Sequence, residues 1–79
     1  MDTKERLVKI IQDLRPDIDL SLDTESIAFI EDGILDSFDI ITLVSAIDKE
    51  FNISIDGNKI VSSNFNTLDS MVKLIEESL

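Results

Sequence analysis

Apolar residues along this chain recur mainly at helical spacing. Leu7, Ile10, Ile11 and Leu14 fall on one face of a helix predicted over residues 3–15. Pro16 ends that helix, because the residue before a proline is pushed out of the helical region. Ile40, Leu43, Val44, Ile47 and Phe51 form a cleaner stripe, predicting a helix that starts at Asp36 or Ser37 and stops near Phe51. Asn52 suits the stop. Leu68, Met71, Val72 and Ile75 predict a last helix over 67–78, with Thr67 or Asn66 as its cap. A short helix is expected over 58–62, with Ile60 and Val61 facing inward.

Residues 16–36 break the pattern. "DIDLSLD" alternates like a strand, but no second alternating run exists to pair with it. This stretch is expected to be a long connection that lays Leu20, Ile27, Phe29 and Ile30 on the core. A structureless loop of about 20 residues is uncommon, so a short helical turn is expected near 24–28. The expected fold class is therefore all-α: a small four-helix bundle of three main helices and one short helix, in a single domain spanning 1–79. Two glycines and one proline also argue against the evenly spaced turns of an all-β fold.

Composition narrows the chemistry. The chain has no cysteine and no histidine, which removes disulfides, thiolate nucleophiles, thiolate metal sites and the commonest general base. With 43% hydrophobic residues in 79, it can build one core and is not expected to be disordered. No stretch approaches the roughly 18 apolar residues of a membrane span. "MDTKERLVKI" is charged and helical in pattern, unlike a signal peptide, so a cytoplasmic location is expected. The net charge of −10 is concentrated: residues 17–56 carry eleven acidic groups against Lys49 alone. Such a field repels nucleic acid and anionic membrane and steers basic protein surfaces, or simply keeps the chain soluble.

Two apparent motifs fail on inspection. "NISIDG" opens like a calcium loop, but its twelfth position is Ser63 instead of glutamate, and Asn58 follows the glycine. "DIDLSLD" has Leu22 where that loop needs glycine. No metal site is expected. The glycosylation triplet at Asn52 carries no meaning in a cytoplasmic protein. Dinucleotide and P-loop glycine patterns are absent, and nothing marks a pocket that would separate two carboxylate pKa values. The chain is not expected to be an enzyme in its own right, and no catalytic residue is assigned.

"GILDSFDII", residues 33–41, remains to be explained. Asp36 or Ser37 can cap the second helix, and Asp39 in its first turn suits the positive end of the dipole. Capping accounts for the polar residues but not for Phe38 and Ile41. These begin a second stripe with Ser45, Asp48 and Lys49, off the inward face. Two large apolar residues there read either as a docking patch or as packing beneath the preceding loop.

"GILDSFDIITLVSAIDKEF" resembles the acyl carrier protein family, including the discrete peptidyl and D-alanyl carriers. In that family a D-S-[LF] motif opens the second helix, which ends in an acidic-aromatic pair such as Glu50-Phe51. The likeness extends over the whole chain in its order of helix, long loop, D-S helix, short helix and final helix. It implies that Ser37, flanked by Asp36, carries phosphopantetheine through a phosphodiester. A phosphopantetheinyl transferase would install the group from coenzyme A using magnesium that this chain does not itself hold. The missing base and thiol would then come from other molecules, and acyl or aminoacyl groups would travel as thioesters.

The resemblance further implies docking of adenylating, acyl-loading and acyl- or peptide-processing enzymes through Phe38, Asp39, Ile41, Ser45 and Asp48, by a monomer. Thr42, Lys49 and "DGNKIVSS" depart from the acidic surface of the fatty-acid type, and Asp56 stands where that type often has proline. "NFNTLDSM", residues 64–71, is similar to the stretch before the last helix in peptidyl and D-alanyl carriers. These features favour a discrete carrier of a specialised pathway over the housekeeping fatty-acid carrier. An unmodified acidic adaptor with the same fold is the competing class.

Overall fold

The computed structural model describes residues 2–20 and 26–79. Helix α1 spans Thr3–Leu14, α2 Ser37–Phe51, α3 Ser62–Phe65 and α4 Leu68–Ser78, with a 3-10 turn at Gly57–Lys59. No strand occurs among the described residues. The fold is all-α, a small helical bundle, as the periodicity predicts. In it α1 packs on both α2 and α4, and α3 packs on α4.

Each long helix starts on a side-chain cap. The Asp2 carboxylate accepts from Glu5 N at 2.8 Å at the start of α1. Asp36 and Asp39 form a reciprocal capping box on α2, and Thr67 and Ser70 form another on α4. α2 stops at Asn52, whose φ of 54° is the left-handed conformation that asparagine tolerates. α1 stops one residue short of the predicted end: Arg15 leaves helical geometry ahead of Pro16 while its N–H still reaches Ile11 O at 2.7 Å.

One core runs through the molecule. Leu7 and Ile11 of α1 meet Leu43, Val44, Ile47 and Phe51 of α2 and Leu68, Met71, Leu74 and Ile75 of α4. Ile10, Leu14, Ile40 and Val72, expected on inward faces, sit half-buried at its margin. Leu35, Ile55, Phe65 and Leu74 are core residues outside the predicted stripes. Leu20 and Phe29 are buried, and Ile27 and Ile30 pack partly against the core, as expected of the connection.

The long connection is not slack where it is described. Phe29, with no exposed surface, is its hub. Its carbonyl accepts from Ile34 N and Leu35 N at 2.9 and 3.0 Å, and its N–H donates to Asn66 O at 2.6 Å. Gly33, at φ +71°, supplies the left-handed turn that folds 30–35 back on Phe29. Asn66 Oδ1 accepts from Ile30 N and Glu31 N at 3.0 and 3.1 Å. Asn66 therefore pins the loop, while Thr67 takes the capping role. Of the helical turn expected over 24–28, residues 24 and 25 lie outside the described residues, and Ser26 is in 3-10 conformation.

The short third helix departs from expectation. Instead of one helix over 58–62, a 3-10 turn capped by Asp56 is followed by a tight turn at Ile60, an extended step at Val61 and then α3. Val61, expected inward, is 47% exposed. The β-branched Val61 favours extended backbone, and that step brings the larger Phe65 fully into the core.

Phe29→Ala is expected to cost about 3–5 kcal/mol, against roughly 4–12 kcal/mol for a chain of this length. Val61→Ala should stay within about 0.5 kcal/mol of the parent. Urea unfolding followed by circular dichroism reads both, and near-equal losses would remove Phe29 from its place as hub.

Candidate functional site

The site is built on the first turn of α2. Asp36 Oδ1 accepts from Asp39 N at 2.9 Å, and Asp39 Oδ2 accepts from Asp36 N at 3.2 Å. This mutual arrangement turns both carboxylates onto the backbone and leaves Ser37 as the first helical residue, exposed. Its hydroxyl has no hydrogen-bond partner among the described residues. The N–H groups of Ser37 and Phe38 are likewise among those a helix start leaves unsatisfied.

"Leu-Asp-Ser" occurs twice, at 35–37 and 68–70, and the two serines have opposite fates. Ser70 is half-buried and fully engaged: it accepts from Thr67 N at 3.2 Å and lies within bonding distance of Asn64 O and Thr67 O. Ser37 is free because its aspartate sits at the cap position. The tripeptide alone cannot distinguish them; the register of the helix start does.

Beside Ser37 the surface is apolar. Phe38 is 80% and Ile41 64% exposed, so neither packs beneath the preceding loop. Ser37, Ile40 and Ile41 of α2 face Ile60, Val61 and Ser62 across an open groove. Val61, the residue misassigned to the core, is thus the far wall of a surface running from Ser37. Larger grooves lie between α1 and α2, lined by charged residues including Lys9, Asp13 and Glu50, away from Ser37.

Other residues of the proposed outer face are less uniform. Ser45 is exposed. Asp48 is half-buried, and its Oδ1 accepts from Ile55 N at 3.1 Å, tying the chain after α2 to its last turn. Asp39 has only 21% of its side chain exposed and is bonded to Arg15. Geometry thus divides the seven residues: Ser37, Phe38, Ile41 and Ser45 are presented outward, Asp36 and Asp39 shape the helix start, and Asp48 holds a turn.

Arg15 is the site residue that sequence reasoning missed. Its Nη1 donates to Ile34 O at 2.8 Å and to Asp39 Oδ2 at 2.9 Å, while Nε and Nη2 clasp Asp17 at 3.0 and 2.9 Å. One guanidinium therefore joins the end of α1, the loop before the serine and the first turn of α2. A usable signal was a planar five-donor group placed after a helix stop, followed by Pro-Asp. Among the described residues no cluster of three acidic, histidine or cysteine side chains could hold a metal. No helix among them is long and apolar enough to cross a membrane.

No family model, curated protein or solved structure matches the chain.

Asp36→Ala should cost about 1 kcal/mol through loss of the cap, measured by urea unfolding. A pH dependence also follows. Hydrogen bonds from Arg15 and from its own backbone hold the Asp17 carboxyl below its ordinary 3.8. A carboxylate lowered on folding stabilises the native state above its unfolded pKa, and that contribution is lost as pH falls through the lowered value. Asp17→Asn should therefore flatten the stability profile below about pH 4 and leave the profile near neutrality unchanged in slope. A slope identical to the parent's below that pH would count against the pairing in solution.

Proposed function

We propose that this chain is a carrier protein whose Ser37 is modified with phosphopantetheine, so that acyl or aminoacyl groups ride between partner enzymes as thioesters. The observation that carries the reading is the exposed, unengaged Ser37 at the first position of α2, next to an uncovered Phe38 and Ile41. It joins the resemblance of "GILDSFDII" and the order of elements to the acyl carrier family.

The residues fit the group. A phosphodiester on Ser37 would sit beside two unsatisfied backbone N–H groups at the positive end of a fifteen-residue helix. The capping box turns Asp36 and Asp39 onto the backbone, which limits their opposition to that anion. The arm supplies the thiol that this cysteine-free chain lacks. From Ser37 it can lie along Ile41 and Val61 or extend into solvent, and the exposure of the serine permits both. A transferase would provide the base and the magnesium that activate the hydroxyl, so no titratable neighbour is needed at Ser37.

Docking follows from the same surface. Phe38 and Ile41 would hold a partner, with the acidic middle of the chain speeding encounter with a basic enzyme surface. Residues 57–62, with Lys59 their one charged residue, lack the acidic surface of the fatty-acid type, which favours a discrete carrier serving an adenylating or other loading enzyme. The second reading, an unmodified adaptor, draws on the same apolar patch.

Incubation with coenzyme A, magnesium and a broad-specificity phosphopantetheinyl transferase should raise the intact mass by one phosphopantetheine. Ser37→Ala should abolish the gain and Ser70→Ala should keep it. An unchanged parent mass would leave the adaptor reading standing. Phe38→Ala should unfold within about 0.5 kcal/mol of the parent, yet lower the rate of arm transfer or loading about tenfold or more.

A further inference from the structure

A phosphodiester on Ser37 would stand between two aspartates in a chain of net charge −10. Helix dipole and free N–H groups favour it, but like charges one and two residues away oppose it. Something must offset them. Asp36 is bonded only to backbone, through Asp39 N. Asp39 is bonded both to backbone, through Asp36 N, and to a full positive charge, through Arg15 Nη1 at 2.9 Å. Arg15 is two hydrogen bonds from the backbone of the residue preceding Ser37. Arg6 is bonded to Glu50, and Lys49 lies in the last turn of α2.

We propose that Arg15 is the positioning residue that lets the start of α2 bear an anion at Ser37, by neutralising Asp39 and holding it on the Asp36 backbone. The inference rests on the reading of Ser37 as the attachment point. Asp17 also draws on this guanidinium, but it is 64% exposed and well screened, whereas Asp39 is largely covered. Arg15 is thus shared between two carboxylates, and Asp39 is the one that lies in the first turn of α2 beside Ser37. Through Ile34 O the same group fixes the backbone three residues before Ser37, so charge and geometry are delivered together.

The test is a double-mutant cycle on the whole chain that requires no transferase. Ser37→Glu places a fixed carboxylate where the phosphodiester would hang. Thermal unfolding is measured for the parent, Ser37→Glu, Arg15→Gln and the double variant, at low and at high salt. Ser37→Glu should lower the melting temperature about 4 °C more in the Arg15→Gln background than beside Arg15. That excess should shrink markedly at about 1 M salt, where screening reaches only about 3 Å.

Additive shifts at low salt overturn the proposal, because a clamp of purely structural role lowers both backgrounds alike. If Arg15→Gln does not fold, Arg15→Lys replaces it, keeping the charge without the fork. Ser37→Glu should then cost no more than it does beside Arg15, and an excess of about 4 °C overturns the proposal. The two failures separate cleanly. A parent that gains no mass with coenzyme A removes the carrier reading but leaves the coupling measurable, and additivity removes Arg15 while the parent still loads.

Discussion

The antiparallel pairing of α1 with α2 is the constraint on which the site depends, and it is fastened at both ends by arginines: Arg6 within α1 and Arg15 just past its end. Arg6 bonds the Glu50 carboxylate and carbonyl and stacks 4.1 Å over the Phe51 ring at the far end of α2. Arg15 bonds Asp39 at the near end. The more exposed pair, Arg6 with Glu50, adds only about 0–1 kcal/mol. The bulk of the free energy comes from the buried seam of Leu7, Ile11, Leu43, Val44 and Ile47. What the arginines add is register: an apolar seam tolerates sliding, whereas a forked donor meeting a carboxylate and a carbonyl does not. The start of α2 is thereby fixed relative to the rest of the molecule.

The connection before α2 completes that constraint from the other side. Asn66, at the α3–α4 junction, holds the backbone of Ile30 and Glu31, and Phe29 anchors the same turn in the core. Ile34 O is then claimed by Arg15. The chain reaches Asp36 with its direction set by contacts to α1 and to the α3–α4 junction, and the capping box needs only the local pair Asp36 and Asp39. The serine is exposed on a helix start that is itself rigidly held. Under the proposed reading, such an arrangement would let a group on Ser37 meet partner enzymes without distorting the fold.

Legibility in the sequence followed periodicity. The three long helices were readable because their apolar residues recur at helical spacing and their caps are local in sequence, so boundaries fell within about a residue. The short third helix was not readable: in four or five residues, extended and helical patterns are indistinguishable, and the burial of Phe65 decided the outcome. Ser37, Phe38 and Ile41 stood out because they sit off the inward stripe. Arg15 and Asn66 did not, since their partners lie up to 36 residues away and hydrogen bonds across that separation leave no periodic trace. Asp48 looked like a surface acid because its bond to Ile55 N depends on the left-handed turn at Asn52.

The contrast between the two Leu-Asp-Ser segments gives the last step. In both, the leucine is buried and the serine begins or enters a helix. At α4 the cap is Thr67, one residue before the leucine, so the serine falls at the third helical position and is spent on the capping box. At α2 the cap is the aspartate itself, so the serine falls at the first position, where no local partner is due to it. Asp39 instead fills the third position and carries the negative charge inward to Arg15. A shift of two residues in where the helix begins therefore separates a structural serine from an available one. Arg15, through Ile34 O, and Phe29, through Ile34 N and Leu35 N, hold the chain immediately before that start.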